Sequence, residues 1–553
     1  MEYSKASLDR QVDEPTSSTS STAAKAVGAE LASMLPRHDK PWFRQRNLLQ
    51  LNFLLLFVIL TPTSLGFDAS MMNALMSLET WNNYFGTPRG ALLGFMNAVM
   101  PLGTIIGSLP AGWTSDKIGR KKTIMLGLVV LIMAGILQGC SRNIAAFIVA
   151  RFFVGIGIEF TAAPSPVLIS ELAYPAHRGK MTSLFQCFFY LGAIASSWIT
   201  FGTSSMKGSE WSWRIPSILQ VFFPIVQIVG LYFVPESPRW LIAKGRLSEA
   251  RATFAKYHAA GDDSHPLVDY EMSEITSHIE TERAVAGMGW LSLVRTKADR
   301  KRMAICVFSA FISNWSGNGI ITYYLSLVLE SVGITDSFTK TLINGVLQIF
   351  NFFAATGAAL LVDRVGRRPL WIASCAGMLI TYIILTVLSA EFVKTSHSGV
   401  GIGVIVTLFL YFFHYDIAVT PLTFAYPTEI FPFHARQKGM AVVMLVNGVC
   451  GMTNTFVNPI ALGEMGWRYY IVYIALLAIM LTFVVLFFAE TKGHSLEEIA
   501  DIFEGPFLVI GRSKRRLTGV SVHDEEGSAR CGQSTGVGPE AKGSSTAVAI
   551  HKE

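Results

Sequence analysis

Charge is scarce in this sequence. Asp, Glu, Lys and Arg make up only 15% of its 553 residues, against about a quarter in a soluble domain of comparable length. That excludes an ordinary water-soluble globule. The basic excess is small, 45 Lys and Arg against 39 Asp and Glu. It is also gathered at the ends of apolar blocks, so nucleic acid is not an expected partner. Cysteine is equally scarce. Cys140, Cys187, Cys306, Cys375 and Cys450 lie in or beside apolar blocks and Cys531 lies in a polar tail. No metal-ligand spacing and no disulfide framework emerges, so no metal is expected. The first 40 residues lack a continuous apolar core, which excludes a cleavable signal peptide and leaves the first apolar block to act as an uncleaved one. The one Asn-X-Ser/Thr sequon, Asn314-Trp315-Ser316, falls inside an apolar block, so N-glycosylation is not expected there.

Apolar residues are abundant instead: 51% of the chain, with a mean hydropathy of +0.43. They form blocks long enough to cross a bilayer, which takes about 20 residues each. Twelve spans are expected, near 48–67, 91–110, 123–140, 144–164, 181–202, 215–234, 303–328, 341–362, 369–390, 400–424, 438–460 and 469–489. The predicted organisation is a disordered segment 1–47, a six-span unit 48–234, a polar helical linker 235–302, a second six-span unit 303–489 and a polar tail 490–553. Lys117, Arg120, Lys121, Lys122, Arg178, Lys180, Arg364, Arg367, Arg368, Arg436 and Lys438 crowd one set of loops. By the positive-inside rule those loops are cytosolic, and so are both termini.

The two units repeat one another. Gly112 to Lys122, with Asp116, Gly119 and Arg120, is answered by Leu360 to Arg368, with Asp363, Gly366 and Arg367. Glu171 and Arg178 are answered by Glu429 and Arg436, and Pro235-Glu236-Ser237 by Ala489-Glu490-Thr491. Asp116 to Asp363, Glu171 to Glu429 and Glu236 to Glu490 are separated by 247, 258 and 254 residues. Three signatures in one order at nearly one offset indicate a duplicated membrane unit, the build of secondary transporters. Asp116, Arg120, Glu171, Arg178 and Glu236 are expected to gather at the inner end of the first unit. Asp363, Arg367, Glu429, Arg436 and Glu490 are expected to do so in the second. Ion pairs there would lock the inner side shut and break when it opens; loop anchoring is the alternative.

Ionisable groups inside spans are costly, and are functional or paired. Asp68 follows Gly66-Phe67 near the outer part of span one and Arg151 lies near the start of span four. If the two spans touch, Arg151 holds Asp68 ionised and protonation releases it; a permanent pair that only fixes two helices is the alternative. Glu159 and Asp416 are further intramembrane carboxylates open to a substrate, proton or packing role. The spans also carry carboxamides: Gln186, Asn314, Asn318, Asn344, Gln348, Asn351, Asn447, Asn454 and Asn458. An amide donates and accepts, as sugar hydroxyls do, and Trp315, Tyr323, Tyr324 and Phe424 offer faces for a pyranose ring. Each Asn alone also suits helix–helix bonding.

With these motifs assembled, Leu48 to Phe503 resembles the sugar porter family of the major facilitator superfamily. Arg151-Phe152 with Gly155 and Gly157, Glu171 with Arg178-Gly179, Pro235 to Trp240, Gly366-Arg367-Arg368 and Glu490 to Gly493 carry the resemblance. Ser313 to Gly319 with Tyr323-Tyr324 is most similar to fungal lactose and cellodextrin permeases. The resemblance implies an all-α membrane protein, with twelve transmembrane helices in two six-helix bundles and a cytosolic helical linker. It implies a sugar carried by alternating access across the plasma membrane, with a proton as coupling ion on Asp68 and Arg151, and no other cofactor. Gln186, Asn314, Asn318, Tyr323, Asn351, Phe424 and Asn447 would line the sugar site. The chain would be no enzyme and would function as a monomer in the lipid bilayer. A facilitative uniporter and a non-transporting sugar sensor are the alternatives. The chain departs from many hexose carriers at Ser313-Asn314, Gly319, Phe424 and Ala489, and the smaller set leaves more room around a sugar.

Overall fold

The computed structural model describes residues 42–285, 290–431, 433–492 and 502–503, apart from a few side chains within helices. Among them every regular element is a helix. Eleven stretches are long and apolar enough to cross a membrane. The last, Lys438–Phe487, is interrupted by the 3-10 turn Gly466–Arg468. It therefore holds two helices, Phe433–Met465 and Tyr469–Phe487, and the crossings number twelve.

Most crossings are longer than hydropathy alone suggests. Span one runs from Arg46 to Met76, and its second helix, Thr61–Met76, includes Asp68, Ser70 and Asn73. Those polar residues end the apolar run in the sequence, but the fold buries them against partners, so the helix continues. Trp42–Arg44 and the start of span one also order residues assigned above to the N-terminal segment. Beyond span twelve, Phe503 is fully buried in the core of the second half, and its carbonyl accepts from Lys301 Nζ at 3.0 Å.

Several crossings are broken, each at a residue that disrupts the backbone ladder. Span one breaks at Leu60, before Pro62, and span four at Ala163, before Pro164; proline has no N–H to donate and collides with the preceding turn. Span seven breaks between Trp315 and Asn318, where Gly317 takes φ of 103°. At the break in span seven, hydroxyls of neighbouring spans donate to the freed carbonyls, as the absence of water in a bilayer requires.

The first half packs around Leu51, Leu55, Leu128, Leu168 and their neighbours, and the second around Trp371, Tyr382, Tyr411, Tyr426 and Tyr473. The halves meet where span two packs on span eleven, span five on span eight, and the second helix of span seven on span one. The linker helices Pro238–Ala243, Leu247–His258 and Pro266–Val285 pack on one another. His258 ties them to the membrane part: its Nδ1 lies 2.8 Å from Glu271 and its Nε2 3.3 Å from the Leu172 carbonyl at the end of span four.

Spans one and five touch backbone to backbone. A Cβ on Gly66 would sit 1.9 Å from the Phe189 carbonyl oxygen, and one on Gly192 1.9 Å from that of Thr63. Small residues permit such approach where helix association rests on close packing. Gly66→Val and Gly192→Val are expected to force these spans apart, at a cost of at least about 1–3 kcal/mol for overpacking. A lowered unfolding temperature in detergent, with loss of the monodisperse chromatographic peak, checks this.

Candidate functional site

The Asp68–Arg151 contact exists. Span five holds span one in place, and span four brings Arg151 Nη1 to 3.3 Å from Asp68 Oδ1. Both side chains are essentially inaccessible, at 0% and 1% exposure. The pair is incompletely satisfied: Asp68 Oδ2 and Arg151 Nε and Nη2 are buried with no hydrogen-bond partner. Breaking up a buried pair is costly because it strands a charge, so a change at either member is felt by both helices. Tyr323, on the second helix of span seven, lies within electrostatic reach of both members. That helix packs on span one through Tyr324 and its neighbours.

Asparagine and serine side chains join the halves on this side. Asn73 Nδ2 donates to Asn344 Oδ1 at 3.4 Å, and Asn344 Nδ2 donates to Ser197 Oγ at 3.0 Å and Ser70 Oγ at 3.3 Å. Tyr324 is a kink, with φ of −130°, and the Ser326 N–H just beyond it donates to Asn73 Oδ1 at 3.2 Å. Ser337 Oγ donates to the Ser77 carbonyl at 2.6 Å. Span one and span five are thus bonded to spans seven and eight at the end remote from the charged motifs.

The expected sugar residues fall into two groups. Asn351 is buried and neither its Nδ2 nor its Oδ1 has a partner. Gln186 and Phe424 are half-buried. Asn314 and Asn447 bond each other at 2.7 Å, and Asn318 Oδ1 accepts from Thr322 at 2.7 Å. By contrast Asn454 and Asn458 are joined to each other and to Tyr469 and Tyr473 within spans eleven and twelve; they are helix–helix bonds. Three tyrosines passed over in the sequence close the break in span seven. Tyr382, Tyr411 and Tyr415 donate to the carbonyls of Gly317, Ser316 and Ser313 at 2.9, 3.2 and 3.0 Å. Their clue was their repeated placement in two neighbouring spans, which reads equally as core packing.

Both unassigned acids are now placed. Glu159 is half-buried beside Gly107 of span two, and no hydrogen bond or ion pair of its side chain occurs among the described residues. Asp416 is fully buried, and the hydroxyl of Tyr190 from span five donates to it at 2.5 Å.

The charged motifs form two matching clusters. Glu171 pairs with Arg120 at 3.4 Å and Glu429 with Arg367 at 2.8 Å. Arg178 is exposed, with no side-chain partner among the described residues, and Arg436 Nε reaches only the Phe431 carbonyl at 3.4 Å. A turn separates each glutamate from the arginine seven residues on, so the glutamate faces the start of span three or nine instead. Asp116 bonds Arg120 at 3.2 Å but is itself 73% exposed. The Asp363 side chain lies outside the described residues. Arg120–Glu171 and Arg367–Glu429 each lie within one half.

Glu236 and Glu490 do matching work. Glu236 accepts from the Arg120 and Lys121 N–H groups at 3.0 and 3.2 Å, and Glu490 from those of Arg367 and Arg368 at 2.9 and 3.1 Å. Each carboxylate thereby sits at the N-terminus of a long helix, where unpaired N–H groups and the dipole favour an anion. Gly119 and Gly366 start those helices with φ of 106° and 104°, a region that favours glycine. A Cβ there would lie 2.3 and 2.8 Å from the carboxylate oxygens of Glu236 and Glu490. Glu236→Ala and Glu490→Ala are each expected to cost about 1–3 kcal/mol, the range for stranding buried donors. Their effects should add, since the clusters share no partner; thermal unfolding of the single and double variants measures both statements.

Comparison with known proteins agrees with this geometry. A family model for sugar and other transporters matches residues 54–503. The MFS-type transporter oryC of Aspergillus oryzae is 29% identical over 86% of this chain and 90% of its own. A low-affinity glucose transporter of Saccharomyces cerevisiae is 30% identical over 74% of this chain and 72% of its own. The partially occluded, inward-open structure of the xylose transporter XylE from E. coli shares the fold. Its TM-score is 0.68 at 21% identity, covering 80% of this chain and 99% of the other. The chain belongs to the sugar transporter family and is a multi-pass membrane transporter, not an enzyme.

Proposed function

We propose that this protein carries a neutral sugar into the cell across the plasma membrane by alternating access, driven by proton entry. The Asp68–Arg151 pair carries this reading: an ion pair out of reach of water, incompletely bonded, beside the contact between the halves. A proton on Asp68 removes the anion that Arg151 faces. Arg151 must then find another acceptor, and spans one and four shift relative to each other. Because span one also carries Ser70 and Asn73, that shift reaches the bonds to Asn344 and Ser326. Proton binding thus bears on the contact that must part for the sugar to enter.

The sugar would lie between the halves. Asn351 offers an unpaired donor and acceptor, Gln186 an amide from span five, and Asn314 with Asn447 a pair already oriented. Asn318 and Tyr323 would flank it on span seven and Phe424 would cover its apolar face. Relatives named for glucose and xylose support a sugar as cargo. The small side chains at Ser313 and Asn314 leave room for a disaccharide. Both termini and the linker would be cytosolic. A single chain holds the whole arrangement, so a monomer suffices, with exposed apolar residues such as Leu109, Val229 and Ile380 toward lipid. The two charged clusters would keep each half rigid while it rocks.

Purified protein in liposomes, given an inward proton gradient and a panel of hexoses, pentoses and disaccharides, tests the proposal. Wild type should concentrate at least one sugar and alkalinise the outside as it does. Asp68→Asn should abolish concentration while sparing exchange; full concentration by that variant would refute proton coupling. Asn351→Ala should raise the apparent KM by about 5- to 150-fold, the equivalent of about 1–3 kcal/mol of lost polar contact.

A further inference from the structure

Asp416 is a second acid between the halves, and nothing in the scheme above uses it. It sits in span ten with 0% exposure. Its Oδ1 accepts two hydroxyls: Tyr190 Oη of span five, from the other half, at 2.5 Å, and Thr420 Oγ1, one turn along its own helix, at 2.6 Å. Its Oδ2 is buried with no partner. Unlike Asp68, it faces no cation among the described residues. The titratable groups turned toward it are Cys187 and Tyr190 from span five and Tyr411 and Tyr415 from its own span. The adjacent His414 is occupied elsewhere: its Nδ1 lies 2.7 Å from the Leu410 carbonyl and its ring lies against Gly377 of span nine.

A carboxylate in a dry interior with two neutral donors and no counter-charge costs several kcal/mol. The neutral acid avoids that cost, and the two hydroxyls, both on Oδ1, leave Oδ2 as the seat for its proton. Tyr190 belongs to the opposite half and lies one turn from Gln186 on span five. Parting of spans five and ten would take away one donor and let water reach the carboxyl. The proton can then leave to the side that has opened.

We propose that Asp416 is a second proton-binding site, loaded and emptied once per cycle, so that two protons accompany each sugar. This rests on the proton-coupled reading above. The step balances simply: one proton passes from outside water to Asp416 Oδ2, and the same proton passes on to cytosolic water. The two-proton carrier has a higher ceiling, about a hundredfold accumulation per pH unit against about tenfold for one proton.

The test is a stoichiometry. Full-length protein in liposomes is given radiolabelled D-glucose, D-xylose or lactose, whichever wild type transports, and sugar and proton fluxes are measured together. Two protons per sugar in wild type, falling to one in Asp416→Asn and staying at two in Asp416→Glu, is the expected result. A wild-type ratio of one overturns the second site while leaving coupling through Asp68 intact. A ratio of zero overturns coupling itself. The wild-type measurement decides even if Asp416→Asn fails to fold, and a ratio of two retained by a folded Asp416→Asn assigns the proton elsewhere and sinks the proposal.

Discussion

A bilayer offers no water to a polar group, so every donor and acceptor within it must be matched by the chain. That constraint sorts this molecule into parts that are finished and parts that are not. The broken backbone of span seven is finished: three tyrosines and the Asn73 side chain take up groups left free at its break and its kink. Asn454 and Asn458 of span eleven are finished too, bonded to each other and to tyrosines of span twelve. Six of the buried atoms left without a partner belong to the candidate proton and sugar residues: Asp68 Oδ2, two nitrogens of Arg151, both polar atoms of Asn351 and Asp416 Oδ2; others, such as Gln138 Nε2 and Trp371 Nε1, lie inside one half. Those six atoms belong to spans one, four, eight and ten, drawn from both halves.

Glycine makes this arrangement possible. Gly66 and Gly192 bring spans one and five to backbone contact, and Gly103 and Gly155 do the same for spans two and four. Span four therefore holds Arg151 beside a span one that is itself fixed by span five. The placement of a single ion pair depends on packing among four crossings, because helices in lipid associate through such close fits and not through exclusion of water.

Much of this was legible in the sequence, and the rest was hidden for identifiable reasons. The repeat showed because its charged motifs stand out against apolar surroundings, and Asp68 with Arg151 showed because charge inside a span is rare. That Glu171 faces Arg120 and Glu429 faces Arg367 was not legible, because the partners are far apart along the chain. The role of each asparagine could not be separated from composition: Asn351 and Asn458 read alike until their neighbours in space are known. Tyr190 gave no signal at all, since its importance lies wholly in facing Asp416 across the halves. Span lengths fell short wherever a buried polar residue lowers hydropathy while the helix continues.

The distribution of strong and weak bonds explains how such a molecule could move. Within each half, charge-assisted bonds brace the inner ends: Arg120 with Glu171, Arg367 with Glu429, and Glu236 and Glu490 on helix N-termini. Between the halves, most of the polar bonds are neutral, between amides, hydroxyls and backbone groups. A neutral bond contributes a net of about 0.5–1.5 kcal/mol, and a bond to a charged group about 1.5–3. The inter-half set can therefore break as a group at a cost that cargo contacts and proton binding can offset. The internal set stays intact, and each half moves as one body. The exception is Tyr190 on Asp416, the one contact between the halves described here that carries an ionisable acceptor. Its strength would change with protonation of that acid, which sets it apart from the neutral bonds between the halves.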